Sequence, residues 1–323
     1  MASNNIKKDH VTDWFNYIAF DLWHEIGDPE AEKYFWLKGP WLTWLATIGY
    51  MYIVMKAGPD FMRNRKPYDL KLAIRLYNLL LVVINTYLFI GTVRSFRYGL
   101  DFWGCGEPIS TRKREIMLHY GHLFFHTRYL EFFDTFFFVL RKKNSQISFL
   151  HVFHHAIVPT LMYIGLKFYP LPFNSLLPST NMFVHIIMYA YYGLATFGPE
   201  VQRYLWWKKY LTTMQISQFV LLIIHCAHAF ILSKTRSDCQ YPLTMVVINF
   251  FIGLTFLTLF VSFYRQTYKN SQRTSIRSAK QQMDANTKSS INGVKSPAGI
   301  GPGSDYANNS ISDGDLLIKQ KYS

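Results

Sequence analysis

The segment ISFLHVFHHAIVPTLMYIGL, residues 147–166, has the length and composition of a membrane-spanning helix. It contains no Asp, Glu, Lys or Arg, and about 20 mostly apolar residues suffice to cross a bilayer. Its three histidines, His151, His154 and His155, share one face of a helix because the second and third follow the first by three and four residues. Since ionisable groups inside a bilayer are costly and usually functional, the segment predicts a membrane protein with chemistry in its interior.

Six further apolar segments surround this one and predict an all-α polytopic membrane protein. The polar connections between them are short, so no separate soluble domain fits into the chain. The prolines Pro170, Pro172 and Pro178 predict that the fifth helix starts with a break or a tilt. The seven transmembrane helices are predicted at 36–56, 70–92, 118–140, 147–166, 172–194, 211–232 and 242–264.

The composition of the chain changes after the last predicted span. Residues 265–323 are rich in Ser, Asn, Lys, Gly and Pro, and they cannot bury enough apolar surface to offset their ordering entropy. We therefore predict a disordered basic tail over 265–323, a transmembrane catalytic domain over 36–264 and an N-terminal segment over 1–35. The formal charge of +14 arises from short basic runs between apolar segments, which is typical of membrane loops and gives no reason to expect a nucleic acid partner.

Two lysines near the C-terminus predict the orientation of the chain. Lys319 and Lys321 lie five and three places from the end, a spacing that resembles the di-lysine retrieval signal of endoplasmic reticulum membrane proteins. Such a signal is read in the cytosol. We therefore expect an endoplasmic reticulum location, a cytosolic C-terminus and, after seven spans, a lumenal segment 1–35.

The cysteines fit the same orientation. Cys105 and Cys239 fall in loops that this topology places in the lumen, which is an oxidising compartment, so we predict a disulfide bond between them. Cys226 lies in the middle of the sixth span, where we expect a small buried side chain.

Polar residues on four of the predicted helices lie at about the same depth as His154. A helical rise of about 1.5 Å per residue places all of them in the cytosolic half of the bilayer. We predict that they converge on one pocket. The polar residues are Arg128, Glu131, Asp134, His151, His154, His155, His185, Tyr189, Gln215 and Gln218. Histidines at other depths, namely 119, 122, 126, 225 and 228, are expected to make packing hydrogen bonds between helices.

Two chemistries suit a histidine cluster inside a membrane. Imidazole is a good iron ligand, as in di-iron desaturases and hydroxylases, although those enzymes carry about eight histidines in three boxes. A neutral imidazole is also a nucleophile that can attack a thioester. A seven-helix receptor would share the span count without needing this polar layer, and a transporter would often show a repeat symmetry that is missing here.

The polar residues resemble the motifs of the membrane fatty acid elongases, which are very-long-chain 3-oxoacyl-CoA synthases. The resemblance covers about residues 20–270. It departs from the family pattern at Arg128, where the family has Lys. The matching positions are His151, His154 and His155 for His-x-x-His-His; Arg128, Glu131, Asp134 and Thr135 for Lys-x-x-Glu-x-x-Asp-Thr; His185, Met188, Tyr189, Tyr191 and Tyr192 for His-x-x-Met-Tyr-x-Tyr-Tyr; and Thr212, Gln215 and Gln218 for Thr-x-x-Gln-x-x-Gln.

The resemblance implies a fold, a reaction and a set of partners. The fold would be seven helices, six of them around a tunnel for an acyl chain. The enzyme would condense malonyl-CoA with a long acyl-CoA, releasing carbon dioxide and CoA, without a metal or other cofactor. Separate reductases and a dehydratase would complete the elongation cycle, and a homo-oligomer is a further expectation.

The resemblance also implies roles for individual residues. His154 would be the nucleophile, His185, His151 and His155 would handle protons and the enolate, and Asp134 would orient a histidine. Arg128 and Glu131 would belong to the substrate site, and Tyr189, Gln215 and Gln218 would donate hydrogen bonds to carbonyl oxygens or to CoA. The CoA phosphates would meet the cations of the cytosolic mouth, which are Arg141, Lys142, Lys143, Lys208, Lys209 and Arg265.

Overall fold

A computed structural model describes Trp14, Asn16, Tyr17 and residues 21–104, 110–239 and 241–269. The chain divides into two compact units, Met1–Leu257 and Thr258–Ser323. Several predictions fall outside the described residues and stay predictions: the tail beyond residue 269, the lysines Lys319 and Lys321, and Cys105.

The described secondary structure is entirely helical, as predicted from the sequence. Short 3-10 and π-helical turns connect or extend the α-helices. The α-helices are α1 (Leu22–Ile26), α2 (Trp41–Tyr52), α3 (Gly58–Met62), α4 (Lys71–Ser95), α5 (Thr111–Leu130), α6 (Phe132–Leu140), α7 (Phe149–Phe168), α8 (Leu176–Ala195), α9 (Pro199–Gln202), α10 (Lys208–Thr235) and α11 (Leu243–Tyr264).

Each of the seven predicted spans contains a helix, but only four helices in the described part are long and apolar enough to cross a membrane. These four are Lys71–Ser95, Phe149–Phe168, Lys208–Thr235 and Leu243–Tyr268. In the other three predicted spans, α2 has only 12 residues, α5 and α6 are separated at Glu131, and α8 carries three tyrosines together with Asn181 and His185. The structure is thus that of a helical membrane protein with four candidate spans.

The predicted break before the fifth span is confirmed. Pro172 opens a 3-10 helix, Pro172–Ser175, and only then does α8 begin at Leu176. Proline lacks an N–H and is tolerated in the first turn of a helix, which is also where Pro178 lies.

Three connections lie together at one end of the helices, which we call the basic end. They are the stretches 63–70, 141–148 and 196–207. Lys142 Nζ donates to the carbonyl oxygen of Arg63 at 3.3 Å, and Arg75 Nη2 donates to that of Thr196 at 2.8 Å. Since α7 and α10 both start at this end, the three histidines and the two glutamines lie in the halves of their helices nearer to it.

The connections at the opposite end are held by hydrogen bonds from histidines. His225 Nε2 donates to the carbonyl oxygen of Phe102 at 2.8 Å, and His228 Nε2 donates to that of Trp103 at 3.2 Å. The prediction of packing hydrogen bonds is therefore confirmed for these two histidines. Cys226, between them in sequence, is free and buried, as expected. Cys239 is in a disulfide bond, while its predicted pairing with Cys105 involves a residue outside the described part.

Residues 22–37 pack against the helices at this opposite end. Ala31 and Leu37 are fully buried in a cluster with Tyr163 and Leu166 of α7. The Lys167 ammonium group, which is fully buried, contacts the carboxylate of Glu32. A charge in such surroundings needs its partner, so this contact fastens the N-terminal segment to the end of α7.

Replacing this lysine tests the fastening. Lys167→Met should lower the thermal unfolding temperature in detergent, by an amount corresponding to about 2 kcal/mol, because Glu32 loses its buried counter-ion. Glu32→Gln should have a similar effect. An unfolding temperature of Lys167→Met equal to that of the wild type would show that the contact does not stabilise the fold.

Candidate active site

The three histidines of α7 lie within its first two turns, close to the basic end. Ser148 caps the helix, its side chain accepting a hydrogen bond from the backbone N–H of His151 at 3.2 Å. This cap fixes the start of α7 and hence the depth of the histidines. His154 is then about 8 Å into the helix at a rise of about 1.5 Å per residue. The ring centres of His151 and His155 are 4.4 Å apart, and those of His154 and His155 are 5.4 Å apart.

His151 is held by neighbouring helices. Its Nε2 lies 2.8 Å from Thr135 Oγ1 on α6, and the same hydroxyl lies 3.0 Å from the phenol of Tyr50 on α2. Thr135 is fully buried. The chain Tyr50–Thr135–His151 therefore joins three helices and fixes the orientation of this imidazole.

The carboxylate that meets a histidine in this site is that of Glu131. It is 1% exposed and accepts from Arg128 Nη2 at 2.6 Å and from His185 Nδ1 at 2.9 Å. The sequence reading gave this task to Asp134, which is wrong, because Asp134 accepts from the phenol of Tyr189 at 2.7 Å instead. A hydrogen bond to Nδ1–H fixes the tautomer of His185 and leaves Nε2 as the acceptor.

A large cavity of mostly apolar lining runs between α5, α7, α8, α10 and α11. The empty space inside it is about 1190 Å³, which includes space open to solvent. His154 is the one predicted catalytic residue that lines this cavity in the described part. It is partly exposed, whereas His155 and His185 are buried.

The remaining predicted catalytic residues do not line the cavity, and His151, His155 and His185 are neighbours of His154. His154 is near enough to His185, Glu131 and Arg128 for electrostatic interaction, so side chains of α5, α7 and α8 lie close together at this point. The described residues include no group of three or more His, Cys, Asp or Glu side chains placed to hold a metal ion.

The two glutamines of α10 differ in their surroundings. Gln215 Nε2 donates to the sulfur of Met188 at 3.5 Å. Gln218 is 6% exposed, and its Oε1 has no hydrogen-bond partner among the residues that the structure describes. Because an unpaired buried polar atom is costly, Gln218 is the glutamine more in need of a ligand or a water molecule.

The predicted cations for CoA are near the start or the end of helices. Arg141, Lys142 and Lys143 follow α6, and Lys208 and Lys209 begin α10, so all five lie at the basic end. Arg265 belongs to the second unit of the chain, where it begins the π-helix Arg265–Lys269.

Asn181 is a site residue that the sequence reading missed. Arg128 Nη1 donates to its Oδ1 at 3.0 Å, and Asn181 also lines the cavity with His154. A guanidinium has only donors, so the amide oxygen must face it, and the amide N–H₂ is left for another acceptor. The sequence feature that could have identified Asn181 is its position one turn before His185 on α8.

The chain is similar in sequence to known proteins. Residues 35–276 match the ELO: GNS1/SUR4 family. The very long chain fatty acid elongase 7 of Rattus norvegicus is 38% identical over 264 residues, which are 79% of this chain and 90% of that protein. The very long chain fatty acid elongase 7 of Drosophila melanogaster is 38% identical over 266 residues, 78% of this chain and 77% of the relative. The human very long chain fatty acid elongase 1 is 35% identical over 258 residues, with 78% and 91% covered.

Proposed function

This chain belongs to the ELO (GNS1/SUR4) family and is a fatty acid elongase of the condensing, 3-oxoacyl-CoA synthase type, and we propose that its reaction runs through an acyl group on His154. One observation carries this choice of nucleophile: His154 is the histidine of the cluster that lines the apolar cavity. An acyl chain lying in the cavity would bring its thioester to this imidazole. His151 and His185 are instead engaged by Thr135 and Glu131.

The first half-reaction transfers the acyl group to the enzyme. The lone pair of a His154 ring nitrogen attacks the thioester carbon, a C–N bond forms and the C–S bond breaks. The imidazole gives up its N–H proton, and CoA leaves as the thiol. The acyl-imidazole that results remains reactive, which a transfer intermediate requires.

The second half-reaction uses malonyl-CoA. Loss of carbon dioxide leaves an enolate, whose carbon attacks the acyl group, so a C–C bond forms and the C–N bond to His154 breaks. One proton taken up from solvent restores the neutral imidazole. We assign the neighbouring His185 to proton transfer at the site, because Glu131 holds its Nδ1–H, directs the ring and leaves Nε2 as an acceptor.

The basic end is where we propose that CoA binds. The acyl chain is apolar and suits the cavity, whereas the phosphates of CoA suit the cations at this end, which are Arg141, Lys142, Lys143, Lys208 and Lys209. The same role for Arg265, which belongs to the second unit, stays a prediction. Arg128 and Glu131, which were expected to bind substrate, are assigned to positioning because they are buried and paired with one another. Gln215 and Gln218 are retained as neighbours of the substrate carbonyl groups, whereas Tyr189 is assigned to positioning because it is buried and its phenol donates to Asp134.

We also propose the wider setting of the enzyme. The seven predicted helices would all cross the membrane, with shorter and more polar helices sheltered by the four apolar ones. The protein would reside in the endoplasmic reticulum with a cytosolic C-terminus, so that its CoA site faces the cytosol. Separate reductases and a dehydratase would act on its product, and we propose a homo-oligomer as its assembly.

Incubation with one substrate at a time tests the acyl-enzyme route. Purified protein mixed with a radiolabelled acyl-CoA alone should retain label in denatured protein, and free CoA should be released at one equivalent per site. Hydroxylamine should remove the label, and malonyl-CoA should discharge it as 3-oxoacyl-CoA. If CoA is released only when both substrates are present, the condensation occurs without an acyl-enzyme.

The second candidate is a di-iron oxygenase, which the histidine cluster alone would also allow. We propose that no metal or other cofactor takes part, because the imidazoles of His151 and His185 are engaged by protein groups. Metal analysis of active protein distinguishes the two. Iron in stoichiometric amount, with activity that chelators remove, would favour the oxygenase.

A further inference from the structure

The cavity that starts at His154 has a polar end. Asn174, Ser175, His225 and Asn249 line it there, whereas Phe, Leu and Met side chains predominate along the rest, where the polar residues are Thr92, Tyr120 and Asn181. Ser175 belongs to the 3-10 helix before α8, and His225 is bonded to Phe102, so this part of the cavity lies away from the basic end. Ser175 and His225 are 4% and 2% exposed, and polar groups buried to this extent normally have partners.

His225 presents an acceptor at the polar end. Its Nε2 donates to the carbonyl oxygen of Phe102 at 2.8 Å, and a carbonyl can only accept, so the proton of the neutral ring is on Nε2. Nδ1 is then an acceptor, and it has no hydrogen bond within the described part of the chain.

Asn249 presents a second acceptor. Its Nδ2 donates to the phenol oxygen of Tyr241 at 3.1 Å, and that phenol donates to Oδ1 of Asn174. This chain of bonds fixes the amide orientation and leaves Oδ1 of Asn249 without a partner among the described residues. The Ser175 hydroxyl, which can donate or accept, is likewise unpaired there.

The chemistry of the polar end selects its ligand. Two acceptors and one hydroxyl require a group that donates a hydrogen bond and can also accept one. No Lys, Arg, Asp or Glu in the described residues lines the cavity, so neither a carboxylate nor an ammonium group would find a counter-ion. A neutral alcohol meets these requirements.

We propose that the polar end is a binding subsite for a hydroxyl group at the far end of the acyl chain, which makes ω-hydroxyacyl-CoA a substrate class of this enzyme. The inference rests on the proposed function, in which the thioester lies at His154 and the chain runs along the cavity. A plain methyl end reaching the subsite would displace water from three unpaired polar groups without replacing its hydrogen bonds. A hydroxyl end would replace them.

Paired substrates of increasing chain length test the subsite. Saturated acyl-CoAs and their ω-hydroxy counterparts are compared by kcat/KM for condensation with malonyl-CoA. Chains too short to reach the polar end should favour the plain methyl form, because the hydroxyl would be buried among apolar side chains. At the length that reaches it, the ω-hydroxy form should be favoured by about tenfold, corresponding to one well-formed hydrogen bond.

Variants at the polar end test whether the preference for the ω-hydroxy form arises from this subsite. Asn249→Leu and Ser175→Ala should each reduce the tenfold ratio at that length to about twofold or less. Leu161→Met, a volume-conserving change in the apolar wall, should leave the ratio intact.

The possible outcomes distinguish failure of the subsite from failure of the proposed function. A methyl preference at every length, with plain acyl-CoAs elongated normally, would overturn the subsite and leave the proposed function standing. A hydroxyl preference that both polar variants retain would also overturn it. Failure to condense any acyl-CoA would overturn the proposed function, and the subsite with it.

Discussion

His154→Ala should abolish condensation, reducing kcat by a factor on the order of 10⁴ or more, as removal of a covalent nucleophile does in other enzymes. Loss of the imidazole removes the atom that bonds to the acyl carbon, and no other histidine of the cluster lines the cavity among the described residues. The covalent label from acyl-CoA should disappear in the same variant. Quantifying label in denatured protein measures this directly.

Two companion variants make the His154 result specific. His119→Ala replaces an exposed histidine whose ring contacts Tyr120, and it should label like the wild type. His154→Gln keeps polarity and size without a nucleophilic imidazole, and it should remain unlabelled with an unfolding temperature close to that of the wild type. Full labelling of either His154 variant would exclude this residue as the acyl carrier.

Arg128→Met should destabilise the protein by about 3–5 kcal/mol, the usual effect of removing one partner from a buried ion pair. Glu131 is 1% exposed and Arg128 2% exposed, so water cannot replace the guanidinium. For a chain of this size the unfolding temperature should fall by about 10 °C. Condensation should also fall steeply, because Arg128 holds Asn181 while Glu131 directs His185.

Arg128→Lys is the matched control for that prediction. It keeps the positive charge beside Glu131. The guanidinium of Arg128 contacts both Glu131 and Asn181, whereas a single ammonium group cannot reproduce that planar geometry. We expect most of the stability to return, with activity between the wild type and Arg128→Met. Wild-type stability of Arg128→Met in thermal unfolding would show that the Arg128–Glu131 contact does not hold the site.

Much of the fold could be predicted because membrane helices are specified locally. All seven apolar segments contain helices, and the proline-rich start of α8 is a 3-10 helix as the sequence indicated. The boundaries were less predictable, since α5 and α6 meet at Glu131 and α2 passes into the π-helix Ile53–Ala57. Such interruptions depend on neighbouring helices supplying bonds and packing that a local pattern does not contain.

Part of the candidate site could likewise be predicted from the sequence, and part of it could not. Spacing alone placed His151, His154 and His155 on one face of α7, because the helical period of 3.6 residues fixes directions within a helix. The resemblance to the elongase motifs implied Asp134 as the partner of a histidine. In the structure the carboxylate bonded to His185 is that of Glu131, one turn before Asp134. The helical period of each segment does not determine how one helix is rotated relative to another, so this pairing could not be predicted from spacing.

The amino-acid sequence by itself determined that this protein is a helical membrane elongase with an imidazole cluster near one end of its helices. Only the tertiary structure decided that His154 lines the cavity, that Glu131 joins His185 to Arg128, and that the far end of the cavity is polar. The physical reason is sequence separation. Glu131 and His185 lie 54 residues apart in sequence. Such partners meet only when whole helices pack against one another, and that packing depends on the side chains along the full length of each helix.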